Sequence, residues 1–228
     1  MGDFQGSIPT EIARIAPDGN LTPRQKRGIL IEMSLRRQRP GSGSSLEFLM
    51  RRTAMNPWPD LRSILQGIPW VIIGGVATRA FMPERMTKDL DILVRKSDED
   101  KVIQRLKTAG YTMISELAVP GYLFQAPDGA EVDVLLGKMP WISEALRRPN
   151  RDPAGYPVLD LPYLVLMKLD AMRAQDWADI TRMLGLASEE ELAEVRKIIA
   201  RYSPEDISDL EALIFIGKKE REIPPSSE

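Results

Sequence analysis

Residues 70–94 read W-V-I-I-G-G-V-A-T-R-A-F-M-P-E-R-M-T-K-D-L-D-I-L-V, and the fold turns on this stretch. Trp70-Val71-Ile72-Ile73 is a short apolar run stopped by glycines, the profile of a buried strand. Val76 to Phe81 leaves room for one short helix before Pro83. Leu90-Asp91-Ile92-Leu93-Val94 alternates, which predicts a second strand. Asp89 and Asp91 open that strand two residues apart. Alternation puts both carboxylates on one face, with Cα atoms roughly 7 Å apart. Two such charges repel by roughly 2 kcal/mol at an effective dielectric of about 20, so a cation, a basic side chain or water must offset them. Taken alone, the pair also describes a solvated strand end with ion pairs to Arg85 or Lys88. Gly74-Gly75 taken alone describes a tight turn. At a strand-to-helix junction, though, its bare N–H groups can hold a phosphate.

Working outward, Asp98, Glu99 and Asp100 after Ser97 mark a helix start, and Val102, Leu106 and Ala109 its buried stripe. Gly110 ends it. Strands follow near Tyr111–Leu117 and Tyr122–Gln125, and the Asp128-Gly129 turn leads into Glu131-Val132-Asp133-Val134-Leu135. Glu131 and Asp133 repeat the i, i+2 carboxylates. If their strand pairs beside Leu90–Val94, a third acid joins Asp89 and Asp91. Three acids at one spot suit two shared divalent cations, the arrangement used for in-line displacement at phosphorus.

Helices dominate the remainder. Asp160 precedes a helix expected to reach Arg173, Ser188 and Glu191 form a capping box, and Ser203-Pro204 opens the last helix. The expected fold class is α/β (α+β), a small mixed sheet flanked by helices and followed by a C-terminal helical bundle. The expected domains are 1–45, a basic arm and linker ending in Pro40-Gly41-Ser42-Gly43-Ser44-Ser45; 46–148, the catalytic core, opened by a helix from Leu46 to Met55; and 149–228, the helical domain.

Composition narrows the chemistry. The 228 residues include no Cys and no His, which excludes disulfides, thiolate nucleophiles, Cys/His zinc sites and histidine bases. Carboxylates prefer hard cations, so Mg²⁺ or Mn²⁺ is the metal to expect. No apolar stretch approaches the roughly 20 residues that cross a membrane, so a cytoplasmic protein without membrane contact is the simplest expectation. The net charge of −2 hides an asymmetry. Residues 21–52 hold eight bases and two acids, whereas residues 188–228 hold eleven acids and six bases. The basic block can meet nucleic acid phosphates, form a solvated helix face, or contact the acidic C-terminal part of the chain.

The quoted segment resembles the signature of the DNA polymerase beta-like nucleotidyltransferases: a strand ending in Gly-Gly or Gly-Ser, then Asp-apolar-Asp-apolar. Glu131-Val132-Asp133-Val134 is similar to that superfamily's third-carboxylate strand. The Gly-Gly-x-Ala opening and the Arg85-x-Thr87-x-Asp89-x-Asp91 run are most similar to the abortive-infection, type IV toxin group. Lys168 to Arg173 and Gln175 to Ile180 resemble that group's third and fourth motifs.

The resemblance implies nucleotidyl transfer from an NTP to an acceptor hydroxyl on tRNA or other RNA, protein or a small molecule. It also implies a toxin of a toxin–antitoxin or phage-defence system, with a cognate antitoxin as partner. The alternative is a non-catalytic member of the fold that binds RNA or a partner. Asp89, Asp91 and Asp133 would be the metal ligands and catalytic acids, with Asp133 also drawing the acceptor's proton. Gly74 and Gly75 would cradle the triphosphate. Arg85, Thr87, Lys168, Arg173, Asp176 and Asp179 would complete the nucleotide site. Arg85 could equally pair with Asp91, and Thr87 could simply fill a strand position. If the helix carrying Lys168 runs on unbroken, Lys168 and Asp179 share one face and Arg173 and Asp176 another. Lys168 is either a cation for the triphosphate or a snorkelling surface lysine. On both readings Lys168→Ala is expected to spare folding.

Overall fold

The computed structural model describes residues 20–37, 58–83, 87, 89–171 and 173–222. The expected linker Pro40–Ser45 and the helix expected over Leu46–Met55 lie outside the described residues, as do Arg85 and Lys88. Seven strands form one mixed sheet: β1 (Trp70–Ile72), β2 (Asp89–Arg95), β3 (Thr112–Glu116), β4 (Gly121–Gln125), β5 (Glu131–Gly137), β6 (Asn150–Arg151) and β7 (Pro157–Val158). Their order is β3-β4-β5-β2-β1-β7-β6. The fold class is the mixed α/β one that the hydrophobic pattern predicts. The last two strands were not foreseen: a two-residue strand is too short to carry a periodicity.

The pairing that matters most is β2 with β5. They run parallel, with Asp89 beside Glu131, Asp91 beside Asp133 and Leu93 beside Leu135. The connection between them contains helix α3 (Glu99–Thr108) and the β3–β4 pair. Leu90, Ile92, Val94, Val132 and Val134 project to the other face and are buried, so hydrophobic burial there locks the register. A one-residue slip would turn those side chains outward and bury the acids.

The turn after β1 enters a four-residue helix, α2 (Gly74–Ala77), which continues as a 3₁₀ turn over Thr78–Ala80. The helix thus begins at the glycines rather than at Val76. Arg79, in that turn, pairs with the buried Asp152 between β6 and β7, donating from Nε at 2.6 Å. The short edge strands therefore tie the turn to the sheet.

Helices α4 (Ile142–Ala145), α5 (Leu161–Ala171), α6 (Ala174–Leu186), α7 (Glu189–Tyr202) and α8 (Ile207–Glu220) follow. α5 is apolar nearly all round and buried accordingly. The capping box at Ser188 and Glu191 forms as its spacing predicts, with reciprocal bonds of 3.2 and 2.7 Å. α6 and α8 cross in backbone contact. A Cβ on Gly185 would stand 2.5 Å from the Gly217 carbonyl oxygen, so only glycine permits this approach. Among the described residues no helix is long and apolar enough to cross a membrane.

Helix α1 (Pro23–Arg37) packs on α8. Its Arg27 is 4% exposed and pairs with Asp206 and with Asp209, the latter at 2.6 Å, while donating to the Leu169 carbonyl at 2.7 Å. Arg24 donates to the Glu205 carbonyl at 2.9 Å. Of the three roles open to the basic block, contact with the acidic C-terminal part is the one seen for these two arginines.

Removing one partner of a buried pair leaves an uncompensated charge, at a cost of several kcal/mol. Arg27→Met is accordingly expected to lower unfolding free energy by about 3 kcal/mol in urea titration. An unchanged midpoint would mean that α1 contributes nothing to the core.

Candidate active site

The site stands at the N-terminal ends of β2 and β5. The shared face and the parallel register bring Asp89, Asp91 and Asp133 together, each offering one carboxylate oxygen within 4.8 Å of the others. Glu131 lies on the same strand two residues earlier but is outside this group. Thr87 precedes the strand and donates to Asp89 Oδ1 at 2.9 Å, orienting that carboxylate.

Gly74 explains how the acids fit beneath the turn. Its φ is +64°, and a Cβ there would lie 2.0 Å from Asp91 Oδ2. Any side chain at position 74 would collide with the Asp91 carboxylate and strain the backbone. The Ile73 N–H donates to the Asp91 carbonyl at 2.9 Å, so the turn and the carboxylate strand are also joined through the main chain.

Crowding shows in the protonation. Burial pushes the Asp91 carboxyl up to about 7, with the Asp89 and Asp133 charges adding to it. Arg173 and Lys168 oppose the rise, which places both cations within electrostatic reach of Asp91. Burial also raises Asp133, and Asp89 and Glu131 push it the same way. Two like charges at 4.8 Å repel by about 3 kcal/mol at an effective dielectric of about 20, and three must share this space. Hard oxygen donors converging from adjacent strands fit a divalent cation such as Mg²⁺ or Mn²⁺.

The helix carrying Lys168 does not run on unbroken, and it stops short of the expected Arg173. α5 ends at Ala171 and α6 begins at Ala174, with the Arg173 backbone extended between them. Lys168 is 4% exposed and donates to Asp176 at 2.8 Å and Asp179 at 2.9 Å, so it is no snorkelling surface lysine. Arg173 Nε donates to Asp176 Oδ2 at 2.7 Å, and the Arg173 N–H to the same oxygen at 3.3 Å. Lys168, Arg173, Asp176 and Asp179 therefore form one network rather than two separate faces. Burial works to raise Asp176, but the hydrogen bonds from Arg173 and Lys168 outweigh it and hold the carboxyl below its ordinary value. The Asp176 hydrogen bond likewise raises Arg173. Gln175 adds a bond to Asp179 at 3.1 Å. Trp177 packs against the hydrophobic core.

The proposed site residues Gly74, Thr87, Asp89, Asp91 and Asp133 thus stand together, and Gly75 is buried in the turn beside them. Sequence reading had no signal for the steric fit of Gly74 to Asp91, because those residues are seventeen positions apart.

No protein-family profile matches the chain, and no curated protein matches it in sequence. Solved structures do resemble it. The crystal structure of ANT(2'')-Ia in complex with adenylyl-2''-tobramycin is 18% identical, covers 68% of this chain and 92% of its own, and has a TM-score of 0.39. The lincomycin-bound lincosamide antibiotic adenylyltransferase LnuA is 13% identical over 68% of this chain and 92% of its own, at 0.38. Terminal uridylyl transferase 4 from Trypanosoma brucei with bound GTP is 10% identical over 87% of this chain and 70% of its own, at 0.26.

Two outcomes follow from the geometry. Removing Lys168 takes an ammonium partner from two buried acids, so Lys168→Ala is expected to cost about 3 kcal/mol of stability by chemical denaturation rather than to spare folding as the sequence suggests. Arg173 still reaches Asp176, so the loss should stop short of unfolding. The second concerns pH. Asp91 titrates near 3.8 when unperturbed and at about 7 when folded. The folded state therefore binds the extra proton between those values, and stability falls as pH rises through that window and levels off above it. Without divalent cations the melting temperature should be higher at pH 5.5 than at pH 8, and Mg²⁺ should reverse the trend by favouring the ionised carboxylates. A flat profile in EDTA would show that burial and the neighbouring acids do not raise Asp91.

Proposed function

We propose that the protein is a metal-dependent nucleotidyltransferase that moves a nucleotidyl group from an NTP to an acceptor hydroxyl. One observation carries the reading: three carboxylates converge within 4.8 Å beside a turn that only glycine can make. A cluster of acids at this density is costly without a cation.

In this proposal Asp89, Asp91 and Asp133 hold Mg²⁺ or Mn²⁺, which supplies charge neutralisation for the triphosphate and the transferring group. The backbone N–H groups at Gly74 and Gly75 approach the triphosphate. Asp133, raised by burial and by Asp89, accepts the proton of the acceptor hydroxyl. The acceptor oxygen forms a bond to the α-phosphorus, the bond from that phosphorus to the bridging oxygen breaks, and pyrophosphate departs with its electron pair. Arg173, its side chain 74% exposed, is the cation placed to reach a phosphate, whereas Lys168 positions Asp176 and Asp179. Arg85 belongs to the reading through its motif. The toxin role, the cognate antitoxin and an RNA acceptor are supported by the resemblance of residues 74–91 and 168–180 alone.

The test separates Asp133 from Glu131. Asp133→Asn keeps shape and removes charge, so single-turnover transfer should fall by orders of magnitude, while calorimetric NTP binding in Mg²⁺ survives in part through Asp89 and Asp91. Glu131→Gln should cost far less. Equal NTP affinity in Mg²⁺ and EDTA, or a dead Glu131→Gln beside an active Asp133→Asn, would sink this assignment.

A further inference from the structure

A cavity of about 680 Å³ opens on the carboxylate face of the sheet. Its floor includes Leu93 and Leu135, which pair with each other in the β2–β5 register, one strand repeat beyond the Asp91–Asp133 pair. Because side chains two apart share a face, Leu93 and Leu135 lie on the same sheet face as Asp91 and Asp133, which do not themselves line the cavity. α5, which carries Lys168, forms one wall through Leu166 and Ala171, and Trp141 and Tyr202 contribute aromatic surface. The volume falls in the range of sites that take small molecules, roughly 300–1,000 Å³.

The polar groups at the cavity are few. Lys138 and Arg201 are its two bases. Arg201 is already engaged, donating to Glu144 at 3.2 Å and lying over the Tyr202 ring at 4.9 Å. Asp170 and Glu205 add two acids. A polynucleotide needs a run of cations along its path to neutralise phosphates, and among the described residues this wall offers only Lys138 and Arg201.

We propose that the cavity is the acceptor subsite and that the acceptor is a small, neutral, mostly apolar molecule bearing a hydroxyl group. This rests on the nucleotidyltransferase reading and deepens it. The acceptor's apolar body lies over Leu93 and Leu135 and its hydroxyl points along the strands to Asp133. The hydroxyl oxygen bonds to the α-phosphorus, its proton passes to Asp133, and pyrophosphate leaves.

The experiment uses the full chain, the neutral apolar fluorophore N-phenyl-1-naphthylamine, α-labelled NTPs with Mg²⁺, a panel of neutral hydroxyl compounds, and total cellular RNA. Val119→Trp and Met139→Trp narrow the mouth at rim positions that are 52% and 42% exposed, where folding tolerates the change. The fluorophore should bind wild type saturably and be displaced by panel compounds that also receive label. Each variant should weaken fluorophore binding and panel labelling at least tenfold, with melting temperature and NTP affinity unchanged. Absence of fluorophore binding, a panel that displaces nothing, or label passing to RNA equally well in wild type and variants would overturn the proposal. Fluorophore binding without any Mg²⁺-dependent NTP binding would instead overturn the transferase reading and remove the acceptor role with it.

Discussion

Three like charges held within 4.8 Å are the constraint on which the rest of this structure depends. Nothing in the local chain favours that meeting. The parallel register of β2 and β5 enforces it, and burial of Leu90, Ile92, Val132 and Val134 on the opposite face sustains the register. The hydrophobic effect on one side of the sheet thereby offsets electrostatic repulsion on the other. Burial, with the neighbouring acids adding to it, raises the Asp91 and Asp133 carboxyls, and perturbed titration of this kind concentrates where chemistry is done.

Counter-charge comes from the interruption between α5 and α6. Lys168 reaches across the break to Asp176 and Asp179, and Arg173 meets Asp176 from the start of α6. This network pairs two cations with two carboxylates, and Lys168, Asp176 and Asp179 are buried while Arg173 reaches the surface. Its cations still act on Asp91. A continuous helix would have separated these partners onto two faces. The break, together with Asp176 reaching back to the Arg173 N–H, brings them into one cluster.

The same helix connects the site to the N-terminal segment. Arg27 donates to the Leu169 carbonyl, next in sequence to Lys168, while Asp206 and Asp209 hold its guanidinium. Charge asymmetry between the two ends of the chain thus finds a structural use. An arginine suits this place because its planar fork serves three acceptors at once, which an ammonium on a flexible stem does less well.

Sequence by itself determined the local elements: the apolar run before Gly74, the alternation after Asp89, the Ser188–Glu191 cap and the residue types available for chemistry. Each of these is set by neighbours within a few positions, through backbone preference and hydrophobic period. It also picked out the acids, since a chain without histidine or cysteine has few other groups to use. Tertiary structure alone decided that Asp91 faces Asp133, that Gly74 makes room for Asp91, that Lys168 is buried between two acids, and that Arg27 holds the end of α5. Those contacts join residues far apart in the chain. They form only when burial of the two sheet faces and the helical core selects one register and one packing, a cooperative outcome that no local window of sequence contains.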